Sequence, residues 1–256
     1  MKRYKCYWIV SILFLVMLST SCQKSVELPI EKTGTLKISF RNTVKGIPIV
    51  LGTGNYTNGF GEQYVLTKFK YYISNVSVSN IDAVSSETNS YHLIDEAKPA
   101  SLSFSFPVKI DSYGSLKLLL GVDSLRNVSG AQTGALDPLN DMFWTWNSGY
   151  IMAKLEGNSP QSTVVNNKVE YHIGGFSGSN NALKNLTLTL PVGKILDIRE
   201  GKTSEIFIDA DIDTWWQNPN DLRISTDPVI ATPSAMAKKI ADNYSKMLQV
   251  KDVINY

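Results

Sequence analysis

The order of apolar and polar residues predicts a chain built mostly of short β-strands. In TLKISFR, residues 35–41, Leu36, Ile38 and Phe40 alternate with polar side chains, which is typical of a strand with one buried face. NLTLTL (185–190) and SEIFIDADID (204–213) alternate in the same way, and residues 62–80 predict one long strand or a strand pair. Turns rich in Gly, Pro and Asn separate these segments. We therefore predict an all-β fold, an antiparallel β-sandwich with irregular loops.

Near the C-terminus the apolar spacing becomes that of a helix. Thr232 is a candidate N-cap, and Pro233 suits the first turn. The side chains that recur at helical spacing are Met236, Ile240, Tyr244, Met247 and Leu248. We predict one C-terminal α-helix as the last element, with its apolar stripe packed on the sandwich, and expect Trp215 and Trp216 to pack against it.

The first residues have the pattern of a secretory leader. Lys2, Arg3 and Lys5 precede an apolar stretch from residue 7 to residue 18, which is too short to cross a bilayer. LSTSC then resembles a bacterial lipobox with Cys22 as the lipidated residue, although ordinary cleavage would leave Cys22 free. We predict a lipoprotein signal peptide (1–21), a tether (22–33) and a single β-sandwich domain (34–256). The expected location is the cell envelope, lipid-anchored, at the outer membrane on its periplasmic or surface side.

Charge and cysteine content exclude several functions. The chain has 25 basic and 23 acidic residues, and the leader removes three basic ones, so the mature protein has no basic excess that would favour nucleic acid. Cys6 leaves with the leader and Cys22 carries lipid, so disulfides, cysteine zinc sites and blue copper are excluded. Because no motif joins a nucleophile to a base, we expect no enzyme activity.

The remaining candidate chemistry lies in two histidines and an aromatic run. His92 and His172 are the only histidines, and two imidazoles with thioether help from Met142 or Met152 suit Cu(I). In DMFWTWNSGY, residues 141–150, Trp144 and Trp146 share a side with Met142 if the segment is extended. The alternatives are that the histidines are structural and that the tryptophans plug one end of the sandwich.

Several aspartates have structural or cation-binding interpretations. Asp123 is a candidate N-cap for the turn SLRN, and Asp137 is a candidate turn former. The carboxylates that alternate or cluster late in the chain belong to Asp209, Asp211, Asp213 and Asp221. They suit either a solvated acidic face, which we favour, or Ca²⁺.

The middle of the chain resembles the MbnP-like family of bacterial envelope proteins. The resemblance rests on LLLGVDSLRNVSGAQTGALDPLNDMFWTWNSGYIMAKLEG (118–157) and YHIGGFSG (171–178), and FKYYISNVSV and AKKIADNYSKMLQV also fit. The Trp-x-Trp run is its specific part. The copper-binding branch has a Ser and a Cys after the His-x-Gly, whereas Gly175 follows here and the mature domain has no Cys beyond Cys22.

This resemblance implies copper binding. In related copper proteins, histidines hold the metal together with a tryptophan oxidised to kynurenine, and a dihaem enzyme related to cytochrome c peroxidases performs that oxidation. Carried over, His172 matches the His of His-x-Gly, and Trp144 or Trp146 is the candidate for modification. The leading hypothesis is a copper site formed by His172, His92, Trp144, Trp146 and Met142. The alternative is a surface lipoprotein that grips a non-metal ligand or a protein with its aromatic loop.

Overall fold

The computed structural model describes residues 31–144 and 149–256. The predicted signal peptide, Cys22, most of the tether and Trp146 lie outside the described residues. The strands, in chain order, are β1 (Thr33–Val44), β2 (Ile47–Pro48), β3 (Asn55–Thr57), β4 (Gln63–Ser79), β5 (Val84–Ser86), β6 (Tyr91–Asp95), β7 (Ser103–Lys109), β8 (Asp111–Tyr113), β9 (Ser115–Leu120), β10 (Phe143–Trp144), β11 (Gly149–Asn158), β12 (Lys168–Gly174), β13 (Lys184–Thr189), β14 (Leu196–Ile198), β15 (Thr203–Asp211), β16 (Val229–Ile230) and β17 (Leu248–Ile254).

The helices are few and short. The α-helices of the described residues are α1 (Ser124–Asn127) and α2 (Ala235–Tyr244). The single turns of 3-10 helix are Pro99–Leu102, Gly134–Leu136, Pro138–Asn140, Val165–Asn167, Gly178–Asn180 and Ile212–Trp215. Within the described ranges, no helix is both long and apolar enough to cross a membrane.

The first sheet is organised around β1. It pairs with β7 and β2 antiparallel and with β15 parallel, and β17 completes the sheet by pairing with β15. The prediction of an all-β sandwich is confirmed, but its pairing is mixed, because β12 and β16 are parallel as well. The alternation of apolar and polar residues shows which face of a strand is buried, but it does not show whether the neighbouring strand runs parallel or antiparallel.

The second sheet is organised around β4, a single long strand. Lys70 of β4 pairs with Asp95 of β6 and also with Lys154 of β11, so β6 and β11 lie at opposite edges of β4. β12 follows β11, and β9 pairs with the far half of β4 and with β13. β14 and β8 form a separate small pair.

The main core lies between the two sheets, as the alternation requires. Leu36 and Ile38 of β1 and Ile206 and Ile208 of β15 are buried against side chains of the second sheet such as Phe69. Burial of this apolar area is the dominant driving force of the fold.

The C-terminal helix differs from its prediction in length and start. It begins after Ser234, whose hydroxyl accepts a hydrogen bond from Ala237 N at 3.1 Å, so Thr232 is not the N-cap. It ends at Tyr244, and Leu248 instead begins β17, which is the last element. The helical prediction for Met247 and Leu248 was wrong, because pairing with β15 outweighs a spacing that also permits a helix.

The adjacent tryptophans after β15 are both fully buried. Trp215 packs on Tyr244 of α2, with ring centroids 5.0 Å apart, which confirms its predicted contact with the helix. The ring contacts of Trp216 are to Tyr64 and Tyr171, and its Nε1 donates to the Tyr64 hydroxyl at 3.2 Å. Trp216 is therefore part of the main core.

Candidate functional site

A second apolar cluster lies on the outer face of the β4 sheet. Its buried residues are Tyr72, Val122, Leu136, Met142, Trp144, Tyr150, Ile151 and Met152. The segment 121–144 covers this face. Two tyrosines of the sheet hold it by hydrogen bonds: the Tyr72 hydroxyl donates to Ala135 O at 3.0 Å, and the Tyr150 hydroxyl donates to Leu136 O at 2.8 Å. The prediction that Asp123 caps the helix inside this segment is confirmed, because its carboxylate accepts from Arg126 N at 3.1 Å.

Trp144 is buried against strand β12. It pairs with Gly149, so β10 and β11 form a hairpin whose turn lies outside the described residues. A β-carbon built on Gly174 would stand 2.4 Å from Cζ3 of Trp144, so the indole lies directly on this glycine. Only 6% of Trp144 is exposed, and it covers the outer face of the sheet as a plug.

His172 lies on the same face as Trp144. It is two residues before Gly174 on β12, and side chains two apart on a strand share a face. Its Nε2 is 2.9 Å from Oε1 of Glu156, which belongs to the neighbouring strand β11. The structure thus brings His172, Trp144 and Met142 to one face of the sheet.

His92 lies elsewhere. It pairs with Ile73, whose side chain belongs to the main core, whereas His172 pairs with Lys154 and so belongs to the outer face. Strands β6 and β12 are three spacings apart, about 14 Å at about 4.8 Å per spacing. The structure does not bring the two imidazoles together. His92 stacks on Phe104, with centroids 3.5 Å apart, and its Nε2 is 2.9 Å from Glu87 Oε2.

Around His172 the outer face carries a cluster of charges, which we call the outer-face ion cluster. Its members are Lys68, Asp141, Lys154, Glu156, Glu170 and His172. Lys68 Nζ is 2.9 Å from Asp141 and 3.2 Å from Glu156, while Lys154 Nζ is 2.9 Å from Asp141 and 3.8 Å from Glu156. Lys154 also donates to the backbone carbonyl of Asp141.

The carboxylates of the cluster are held ionised by their contacts. The hydrogen bond from His172 and the nearby Lys68 outweigh burial and lower the pKa of Glu156 to about 2. Burial opposes ionisation of Asp141, but Lys68 and Lys154 outweigh it and lower the pKa of Asp141 to about 2. For Lys154 the balance is reversed: burial lowers its pKa, although the contacts with Asp141 and Glu156 oppose that shift.

Three of these side chains have the geometry of metal ligands. One donor atom each from Glu156, Glu170 and His172 lies within 4.8 Å of the others, and this is the one such group of three or more in the described residues. Glu156 and Glu170 are direct cross-strand neighbours, a like-charge pair that is unfavourable unless cations lie between or beside them. Lys168, 2.6 Å from Glu170, and Lys68 supply such charge here.

Sequence reasoning missed the carboxylates of this site. The missing signal was charge alternation, since Lys154 and Glu156 on β11, and Glu170 and His172 on β12, each occupy every second position. In the sequence, segment 141–157 was interpreted through its aromatic residues, and β11, buried on both faces over most of its length, was not predicted as a strand.

The ligand atoms of Glu156, Glu170 and His172 determine which metal this site would bind. One imidazole and two carboxylates fit a divalent ion that accepts nitrogen and oxygen, such as Cu(II). The two-imidazole set that suits Cu(I) is not assembled, because His92 lies on the other face. Met142, fully buried, would reach this centre only by moving from the apolar cluster.

The late aspartates have other partners. Asp209 accepts two hydrogen bonds from Arg41, at 2.8 and 2.7 Å, and Asp211 accepts from Lys45 N and Asp213 N. These contacts agree with a charged face neutralised by neighbouring cations.

The class of fold is thus a β-sandwich whose outer face carries a buried tryptophan and, further along the same strands, a histidine-bearing ion cluster. The family model for MbnP matches residues 33–236, so the chain belongs to the MbnP family. Its fold is similar to the solved structure of MbnP from Methylosinus trichosporium, with a TM-score of 0.52, 13% sequence identity, and 88% of this chain and 99% of that chain covered. No curated protein matches this sequence significantly.

Proposed function

We propose that this protein is a lipid-anchored envelope protein of MbnP type that binds copper on the outer face of its second sheet. The observation that carries the proposal is the approach of the Glu156, Glu170 and His172 donors to within 4.8 Å of one another. The lipobox ending at Cys22 supports the anchor, and the family supports the metal.

His172 is the central ligand of the proposed site. Its ring nitrogen already faces Glu156, so a divalent ion would replace the shared proton between them. Glu170, directly across from Glu156, would supply the second carboxylate, and the low pKa of Glu156 keeps that ligand ionised. The bound ion would relieve the repulsion between these two carboxylates.

The two lysines beside Glu156 oppose the metal. Lys68 Nζ and Lys154 Nζ lie 3.2 and 3.8 Å from Glu156, so both the ion and the lysines compete for one carboxylate. Removal of the partly exposed Lys68 is therefore expected to tighten Cu(II) binding several-fold, an effect opposite to that of most substitutions at a site.

The direct test is Cu(II) titration of the full chain in detergent, followed by electron paramagnetic resonance. We expect one equivalent with one nitrogen ligand in the parent protein, loss of that equivalent in His172→Ala, and weaker binding in Glu170→Gln. His92→Ala is the matched control and is expected to bind like the parent. Binding that depends on His92, or no specific Cu(II) binding at all, would overturn the proposed site.

The proposed modification of tryptophan has a separate test. Mass spectrometry of protein from its native host would show a kynurenine mass increase at Trp144 or Trp146 if a dihaem partner enzyme acts on this protein. Trp144 is buried, so the same measurement after co-expression with and without such an enzyme is needed to assign the cause. An unmodified pair in the native host would remove this partner from the proposal.

A second candidate function is binding of a non-metal ligand by the aromatic loop. A cleft of about 410 Å³ beside Trp144 supports it. The cleft is lined by Trp144, Gly149, Tyr150, Gly175, Phe176, Ser177, Asn180, Thr232 and Pro233. If titration shows no metal binding and soluble oligosaccharides or peptides quench Trp144 fluorescence in a Phe176-dependent way, this function replaces the first.

A further inference from the structure

Strand β6 has one edge without a neighbouring strand. Glu96 N donates to Phe69 O at 3.1 Å, and Asn75 N donates to Ser90 O at 3.3 Å. In an antiparallel ladder, alternate residues direct their backbone groups to the partner strand, so residues 90, 92, 94 and 96 face β4. The backbone groups of Tyr91, Leu93 and Asp95 consequently point away from β4.

A serine side chain closes this free edge at one end only. Asp95 N donates to Ser101 Oγ at 3.0 Å, and Ser101 Oγ lies 3.0 Å from Asp95 O. In the described residues, β6 pairs with no strand other than β4, and the outward N–H and C=O of Tyr91 and Leu93 have no protein partner. Two successive outward positions therefore remain open.

The open edge is the floor of a groove, which we call the β6 groove. Two adjoining cavities of about 260 and 270 Å³ form it, and both are lined by Tyr91 and Ala135. One contains Leu93, with the stacked His92 and Phe104 as an aromatic wall, and the other contains Arg126. Strand β6, from Tyr91 to Asp95, spans about 17 Å, the length of an ordinary strand.

Accessible charge in the β6 groove is positive. Arg126 forms no ion pair in the described part of the chain; its guanidinium carbon stands 5.6 Å from the centre of the Tyr91 ring, whose hydroxyl donates to Asp123. Lys98, at the other end, has 60% of its side chain exposed and lies 3.8 Å from the almost fully buried Asp95, which Lys70 also neutralises from 3.3 Å. Two copies paired antiparallel through β6 would place these cations against each other.

We propose that the β6 groove binds an extended, acidic segment of another protein by strand addition. The segment's backbone would pair with Tyr91 and Leu93, and its acidic side chains would meet Arg126 and Lys98. Strand addition to a free sheet edge is an established mode of peptide recognition, in which main-chain hydrogen bonds supply affinity and side chains supply specificity. The groove and the proposed metal site are separate, because β6 and β12 lie on opposite sides of β4.

The test uses labelled hexapeptides and the full chain in detergent. We expect acetyl-Asp-Val-Thr-Val-Thr-Asp-amide to bind at least tenfold more tightly than the same peptide with Lys at both ends. N-methylation of one alternate set of its amides should weaken binding at least tenfold, and N-methylation of the other set should not. Hydrogen exchange at the Tyr91 and Leu93 amides should slow on peptide addition.

Two protein variants complete the test. Arg126→Glu is expected to weaken the acidic peptide at least tenfold and to favour the lysine peptide, whereas Arg199→Glu, an exposed arginine paired with Asp197, should change neither. Absence of peptide binding, binding insensitive to N-methylation, or concentration-dependent dimerisation abolished by Arg126→Glu would each overturn the proposal.

Discussion

Lys154 is a buried cation on which the outer face depends. Its side chain is only 2% exposed, and its ammonium group contacts the carboxylate and the backbone carbonyl of Asp141. Burial of a charge costs several kcal/mol unless partners compensate for it. The contacts with Asp141 therefore also hold the end of the covering segment 121–144 against the sheet.

We predict that Lys154→Met lowers the free energy of unfolding by about 2 kcal/mol, because it removes charged hydrogen bonds and leaves Asp141 without its buried partner. Urea denaturation measures the change. Lys168→Met, on the same face with 47% of its side chain exposed, should change stability by less than about 0.5 kcal/mol. Equal effects of the two variants would contradict this account of Lys154.

Gly174 is required by the close approach of Trp144. A β-carbon there would stand 2.4 Å from the indole and 2.9 Å from Tyr150 O, and strand β12 cannot shift without disturbing β11. We predict that Gly174→Ala lowers the free energy of unfolding by about 2 kcal/mol and changes tryptophan fluorescence. Gly114→Ala, where no atom lies within 4 Å of the added carbon, is the control and should be nearly neutral.

The start of helix α2 offers two candidate N-cap residues, Ser234 and Thr232. Ser234 accepts the hydrogen bond from Ala237 N, whereas Thr232 lies two residues outside the helix. We predict that Ser234→Ala lowers the free energy of unfolding by about 1 kcal/mol and that Thr232→Ala has little effect. Thermal unfolding of both variants distinguishes them, and a larger loss for Thr232→Ala would place the cap where the sequence pattern suggested.

Strands with one buried face were predictable, and elements set by tertiary pairing were not. β1 and β15 alternate cleanly and were predicted from that alternation. β11 is buried on both faces, so its residues show little alternation, and its charges are visible as a face only once β4 and β12 flank it. Part of the candidate site was therefore predictable: His172 and Trp144 were candidates from the sequence, and they share a face. Glu156 and Glu170 join them only through the pairing of β11 with β12, which the spacing of residues along the sequence does not reveal.

The position of His92 in the whole fold could not be predicted from its residue type. Two histidines in one chain suggest a shared site, yet β4 lies between their strands and they project to opposite faces. Each instead has a carboxylate neighbour, Glu87 or Glu156, at 2.9 Å. The sandwich thus separates the main core, the outer face and the β6 groove into regions that can be tested independently.

The ion cluster also makes the whole fold sensitive to acid. The pKa values of Glu156 and Asp141 are lowered to about 2, so the folded state binds fewer protons than the unfolded state between about pH 4.5 and 2. Their contribution to stability is therefore complete above about pH 5 and is lost as pH falls towards 2. For Glu156, which is mostly buried, the upper bound is about 3 kcal/mol.

We predict that urea midpoints of the full chain fall steeply from pH 5 to pH 2.5 and that Glu156→Gln makes this fall shallower, since the amide has no proton to gain. Glu200→Gln, at an exposed pair with Lys32, should leave the slope unchanged. Because Cu(II) and protons compete for Glu156, added Cu(II) should raise the midpoint at pH 5 more than at pH 3. A stability profile that is flat below pH 5 in the parent protein would mean that this carboxylate is not paired in solution, and the proposed ligand set would lose its central carboxylate.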